Sequence, residues 1–187
     1  DTPQGLGFAL TAYVLWGFLP LYMKLLSHIP PAEVVAHRVI WSLPIAATLL
    51  IILGRTGDIK TALTTPKMLA MGCVTAALIS INWGFYVWSI QAGRTLESSL
   101  GYFINPLLNV LLGFMFLHER LSRVQTIAVA LAAIGTVYLA WFLGVPPWIS
   151  LALALTFGLY GLVRKKLGVG PMIGLLWETL LLAAPAM

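Results

Sequence analysis

The chain has 187 residues, 60% of them hydrophobic and 9% charged, with a formal net charge of +5 and a mean hydropathy of +0.94. A soluble domain carries roughly a quarter charged residues, and a water-soluble fold of this length could not cover so much apolar surface. The eleven basic residues are scattered between apolar runs and form no patch, which argues against nucleic acid as a partner and makes them markers of membrane topology.

Apolar windows of about 20 residues, the length a helix needs to cross a hydrocarbon core of roughly 30 Å, recur along the chain. A β-barrel would instead show short segments alternating apolar and polar. The expected fold class is an all-α polytopic membrane protein. Spans are expected near residues 6–24, 33–53, 67–91, 96–117, 123–143, 148–164 and 171–187, joined by short loops with no linker between them. The first span has no small-residue cleavage site and reads as structure, not as a signal peptide. An opening Asp1 and an end at Met187 inside an apolar run make the sequence read as a piece of something longer.

At about 100° per residue, Tyr13, Trp16, Gly17, Pro20 and Lys24 share one side of the first span. The second span carries His37 and Arg38 about a turn and a half from its start. On the third, Thr75, Asn82, Tyr86 and Ser89 share a side, and Cys73, the single cysteine, excludes a disulfide framework or a cysteine metal site. The fourth, "ESSLGYFINPLLN", aligns Ser98, Tyr102, Asn105, Pro106, Asn109 and Gly113 in one stripe. Pro106 removes a backbone donor and frees the Tyr102 carbonyl, so a kink is expected there. The fifth carries Ala128, Ala132 and Thr136 at four-residue spacing, a packing surface between helices or between copies in a homo-oligomer. Glu178 lies about two turns into the seventh span, where charge is costly and usually functional. Glu97 and Arg94, at the outer end of the fourth, read as interfacial.

The second, fourth and sixth connections hold Arg55, Lys60, Lys67, Arg120, Arg123, Arg164, Lys165 and Lys166, against Lys24 and Arg94 in the first, third and fifth. Eight against two places the amino terminus and the even loops in the cytoplasm. Within the first span "YVLWGF" (13–18) matches "FGLYGL" (157–162) in the sixth, and "PAEVVAHR" (31–38) lies more weakly on "PMIGLLWE" (171–178). Five spans precede the second unit, an odd number that inverts the copy, as in secondary transporters whose substrate sits near the midplane between repeats. Chance similarity of two apolar helices remains the alternative.

An amide in hydrocarbon needs a hydrogen-bond partner or water. The polar faces on three helices therefore either glue the helices together or line a wet cavity. The cavity reading takes Tyr13, Trp16, Arg38, Asn82, Tyr86, Tyr102, Asn105, Asn109 and Glu178 as substrate-binding residues. Arg38 would hold an anionic group and Glu178 would serve proton coupling, the two Cα atoms differing in depth by roughly 10 Å. An enzyme is not expected: His28, His37 and His118 stand apart, and no base is placed beside Ser42, Ser80 or Ser89. No cofactor or metal is expected, and no phosphate-binding G-x-x-x-x-G-K-[ST] stretch occurs to drive transport with ATP.

The stretches "LWG" (15–17), "PAEVVAHRVIWS" (31–42), "NW" (82–83), "LESSLGYFINPLLNVLLGFMFLHERLS" (96–122) and "FGLYGLVRKK" (157–166) resemble the drug/metabolite transporter superfamily, EamA-like branch, RarD type of bacterial inner-membrane permease. The resemblance covers nearly the whole chain. It implies ten spans in two inverted five-span repeats around a central cavity, both termini cytoplasmic. Residues 1–145 would be the first repeat and 146–187 the truncated start of the second. The implied function is secondary transport, as an exporter or permease, of small metabolites or drug-like molecules by alternating access. The alternative is a membrane assembly or packing protein with no substrate of its own.

Overall fold

The computed structural model describes residues 3–52, 54, 65–118, 120–144, 147–167 and 171–186. Seven helices account for them: α1 (Pro3–Leu25), α2 (Pro31–Ile52), α3 (Pro66–Gln91), α4 (Thr95–Leu117), α5 (Arg123–Leu143), α6 (Trp148–Leu167) and α7 (Pro171–Ala186). The expected spans and these helices agree to within a few residues. Arg55 and Lys60, counted above for topology, lie outside the described residues. Among the described residues five helices, α1 to α5, are long and apolar enough to cross a membrane; the 20-residue α6 carries Arg164, Lys165 and Lys166 in its last turn, where its apolar stretch ends.

Local signals set the boundaries. Proline opens α2, α3 and α7, at the position where its missing N–H is no loss. Ser122 caps α5 with a reciprocal box: its backbone N–H donates to Gln125 Oε1 at 2.9 Å and its Oγ accepts from the Gln125 N–H at 3.3 Å. Between α3 and α4 the chain reverses in three residues. Gly93, at φ +74, adopts the left-handed conformation that lets the Arg94 N–H donate back to the Ser89 carbonyl at 2.8 Å. Proline is also carried inside α1, α2 and α4; α4 continues through Pro106 as one helix.

The centre of the packing is α6, which lies against α4 and α3, while α7 lies against α2 and α3. Small residues permit the approach. A Cβ on Gly101 of α4 would come 3.1 Å from the Ser150 carbonyl oxygen, and one on Gly158 of α6 would come 3.1 Å from both Leu108 and Leu112. Around these crossings, Met23, Val34, Tyr86, Val87, Ile90, Ile149 and Leu153 form one core, and Ala46, Leu50 and Leu176 a second where α2 meets α7. By contrast, α1 touches mainly α3, and α5 touches α4. Their apolar side chains face outward, Trp141 being 87% exposed. In water that surface would be untenable; in a bilayer it is the expected outer wall.

Candidate functional site

The second and third helices bring together a cation and a ring. Arg38 of α2 lays its guanidinium over Trp83 of α3, Cζ standing 3.3 Å from the ring centroid, a cation–π contact that strengthens as it loses water. Arg38 is still exposed on its open side, and no carboxylate pairs with it among the described residues. One turn along α3, Tyr86 meets Trp83 edge to face at 5.5 Å and Tyr102 of α4 at 6.3 Å. Tyr86 is buried, whereas Tyr102 presents an open ring, 58% exposed. A turn beyond Tyr102, the half-buried Asn105 holds a side-chain oxygen, Oδ1, that is out of solvent and has no hydrogen-bond partner.

A second constellation lies between α6 and α7. Glu178, 4% exposed, receives Arg164 Nη1 on Oε1 at 3.1 Å and the Tyr160 hydroxyl on Oε2 at 3.2 Å. Arg164 crosses the surface of α7 at Gly174, where any Cβ would collide with its guanidinium. The same guanidinium lies 5.6 Å from the Tyr160 ring centroid. The two constellations are neighbours through α3, which carries Trp83 and packs against both α6 and α7.

The nine residues expected to face a substrate divide accordingly. Arg38, Tyr86, Tyr102 and Asn105 follow one another through Trp83, and Glu178 belongs to the neighbouring ion pair. Asn82 is tied into packing: its Nδ2 donates to the Leu153 carbonyl at 2.9 Å and to Thr156 Oγ1 at 2.8 Å. Tyr13 and Trp16 pair edge to face with each other at 5.8 Å on the exposed side of α1. Asn109 lies further along α4 in an open groove of about 360 Å³ that it lines with Gly113, Gly158, Gly161 and Lys165. Along the α4 stripe, Ser98 and Gly113 are buried and Tyr102, Pro106 and Asn109 are open.

Two readings change. Arg164, counted as a loop cation, is a helix residue and the ion-pair partner of Glu178. Glu97, expected at the interface, is 7% exposed because Gly101, one turn on, lets α6 close over that end of α4. Ser150 of α6 donates its hydroxyl to the Glu97 carbonyl, and Arg94 Nη1 stands 3.7 Å from Oε2. Sequence reasoning missed Trp83, Tyr160, Arg164 and Gly174. Trp83 sits about 100° off the α3 stripe, where side-chain periodicity gave no signal. The other three had one: Tyr160 and Arg164 are spaced four apart on α6, and Gly174 and Glu178 four apart on α7, the spacing of residues on one helix face.

Among the described residues the fold is all-helical, with a lipid-type exterior and an interior where α2, α3, α4, α6 and α7 gather cations, the carboxylates of Glu97 and Glu178, rings and amides. That is a multi-pass membrane protein. Residues 3–141 match the model of the EamA-like transporter family, and the chain belongs to that family. It is similar to an uncharacterised transporter of Pseudomonas aeruginosa, 47% identical over 179 residues that make up 96% of this chain and 60% of the relative. Protein RarD of Escherichia coli is 45% identical over 180 residues, 96% of this chain and 61% of that protein. A second Pseudomonas aeruginosa relative, named chloramphenicol-sensitive protein RarD, is 39% identical over 183 residues, 96% of this chain and 61% of its own. The chain thus spans about three fifths of the length of the curated relatives it matches. No solved structure matches it.

Proposed function

We propose that the full-length protein is a secondary transporter of small metabolites or drug-like molecules, an exporter or permease of the bacterial inner membrane that works by alternating access without ATP. In this reading it has ten spans in two inverted repeats, the first over residues 1–145 and the second opening at 146, with a cytoplasmic amino terminus. The observation that carries the reading is the packing of α2 and α3 against α7 and of α3 against α6, with Arg38 over Trp83 on one side and the Tyr160–Glu178–Arg164 group on the other. Substrate sites of inverted-repeat transporters lie where the two units meet. Arg38 holds an anionic group of the substrate, Glu178 exchanges the coupling proton, and Tyr102 and Asn105 face the solute. Family membership supports the transporter class.

The test is uptake or efflux in vesicles carrying the full-length protein. Asn105→Leu and Arg38→Leu, once shown to insert and fold, each reduce transport at least tenfold. Transport equal to wild type in both variants overturns the assignment of the cavity. One observation favours the packing alternative for a single residue: Asn82 spends its amide donor on α6.

A further inference from the structure

Two atoms at opposite ends of one run of side chains ask for a ligand. At the first end is the Arg38 guanidinium, with Trp83 on one face, an exposed opposite face, and no carboxylate partner among the described residues. At the far end is Asn105 Oδ1, an acceptor withdrawn from solvent and left without a donor. Such an atom costs about 1–3 kcal/mol until something bonds to it. Between them run Trp83, Tyr86 and Tyr102, in edge-to-face steps of 5.5 and 6.3 Å. Tyr86 is buried, while Tyr102 is 58% exposed.

Each element selects one part of a molecule. A guanidinium stacked on a ring and open on its other face takes a carboxylate or similar anion, held by charge-assisted hydrogen bonds. An open ring beside a buried one favours a flat π-system, which keeps its contact at little conformational cost. A lone acceptor accepts only from an O–H or N–H. We propose that this run is the substrate site of the transporter described above, a reading on which the proposal rests. It takes a flat, ring-bearing organic anion with a hydrogen-bond donor at the end remote from its anionic group.

The probes are 4-hydroxycinnamate, its 4-methoxy analogue, its primary amide, and 8-hydroxyoctanoate, which keeps both ends but has no ring. Affinities are measured by calorimetry on the full-length protein in lipid nanodiscs. The methoxy analogue, lacking the donor, binds about tenfold more weakly than 4-hydroxycinnamate, the worth of one hydrogen bond. The amide binds at least about tenfold more weakly, the worth of a charge-assisted contact, and 8-hydroxyoctanoate is also weaker. In Asn105→Leu the hydroxy and methoxy compounds bind equally, while the preference for acid over amide persists. In Arg38→Gln the acid and amide converge, while the hydroxy compound keeps its advantage. Asn105→Ala replaces the leucine variant if the latter does not fold. The proposal is overturned if no probe binds folded wild type, if methoxy and hydroxy compounds bind wild type equally, or if the hydroxy preference survives in both Asn105 variants. Selective binding without transport in vesicles removes the transporter reading and leaves the site. Transport of another solute, sensitive to Arg38→Leu, with none of the probes bound, removes this ligand class and leaves the transporter.

Discussion

Arg38 and Arg164 are both guanidinium groups set among membrane helices, and their surroundings give them different energetics. Arg164 is committed: Glu178 accepts from it at 3.1 Å, with side chains 18% and 5% exposed, and Gly174 leaves the guanidinium its berth. A buried pair earns little net stability over an apolar substitute, because desolvation offsets the Coulombic gain, yet removing one partner strands the other. Arg164→Met therefore lowers the unfolding free energy of the full-length protein by about 3 kcal/mol, and the Arg164→Met/Glu178→Leu double variant loses less than the single. Reversible unfolding in detergent micelles reads both values; a double variant as damaged as the sum of two singles refutes the pairing. Arg38 has a ring and, among the described residues, no carboxylate, and a cation–π contact contributes about 1–2 kcal/mol. Replacing Arg38 is accordingly milder for stability, and its effect belongs to binding.

At the scale of helices, α4 and α6 are joined through glycine. A Cβ at Gly158 meets Leu108 and Leu112 at 3.1 Å, whereas one at Gly161, a turn further on the same helix, meets nothing within 4 Å. Close contact of this kind is how membrane helices gain van der Waals energy when lipid is as apolar as their own side chains. Gly158→Val lowers the thermal midpoint of the purified protein by several degrees, an overpacking cost of about 1–3 kcal/mol, and Gly161→Ala leaves it unchanged or raises it slightly. Equal midpoints for the two variants would show that the crossing is not where the structure puts it. The helices themselves were legible in the sequence because long apolar runs and opening prolines are local signals. Partnership was not. Both "YVLWGF" in α1 and "FGLYGL" in α6 read as aromatic and glycine-bearing, but α6 is buried between two helices and α1 keeps Trp16 exposed. Hydropathy fails to separate them because lipid and a neighbouring helix are equally apolar environments. For the same reason the α3 and α4 stripes indicated which residues share a face, not whether Asn82 and Asn105 would find partners on another helix. Arg38 and Glu178 stood out because charge in hydrocarbon is conspicuous; Trp83 did not, since a tryptophan there is ordinary.

For the whole molecule the open quantity is direction. Arg164 turns inward to Glu178, so at the sixth connection the topological charge is carried by Lys165 and Lys166, and the even connections keep a large basic excess over Lys24 and Arg94. In the proposed topology, cytoplasmic retention of Lys and Arg would keep the amino terminus inside. The α3–α4 turn then faces outward and the segment before α5 faces the cytoplasm. That topology would put Arg38, near the start of α2, in the outer half of the membrane and Glu178, in the first half of α7, in the inner half. A solute held by Arg38 and a proton held by Glu178 would therefore approach from opposite faces. In intact cells, with Cys73 and any further background cysteine replaced by serine, an impermeant maleimide labels Ala92→Cys fully and leaves Leu121→Cys unlabelled until the membrane is permeabilised. Ala92 and Leu121 both lie outside helices, and Leu121 leaves the Ser122 cap of α5 intact. The opposite labelling pattern would invert the molecule, carry Arg38 to the cytoplasmic half, and reverse the side from which the anion is drawn.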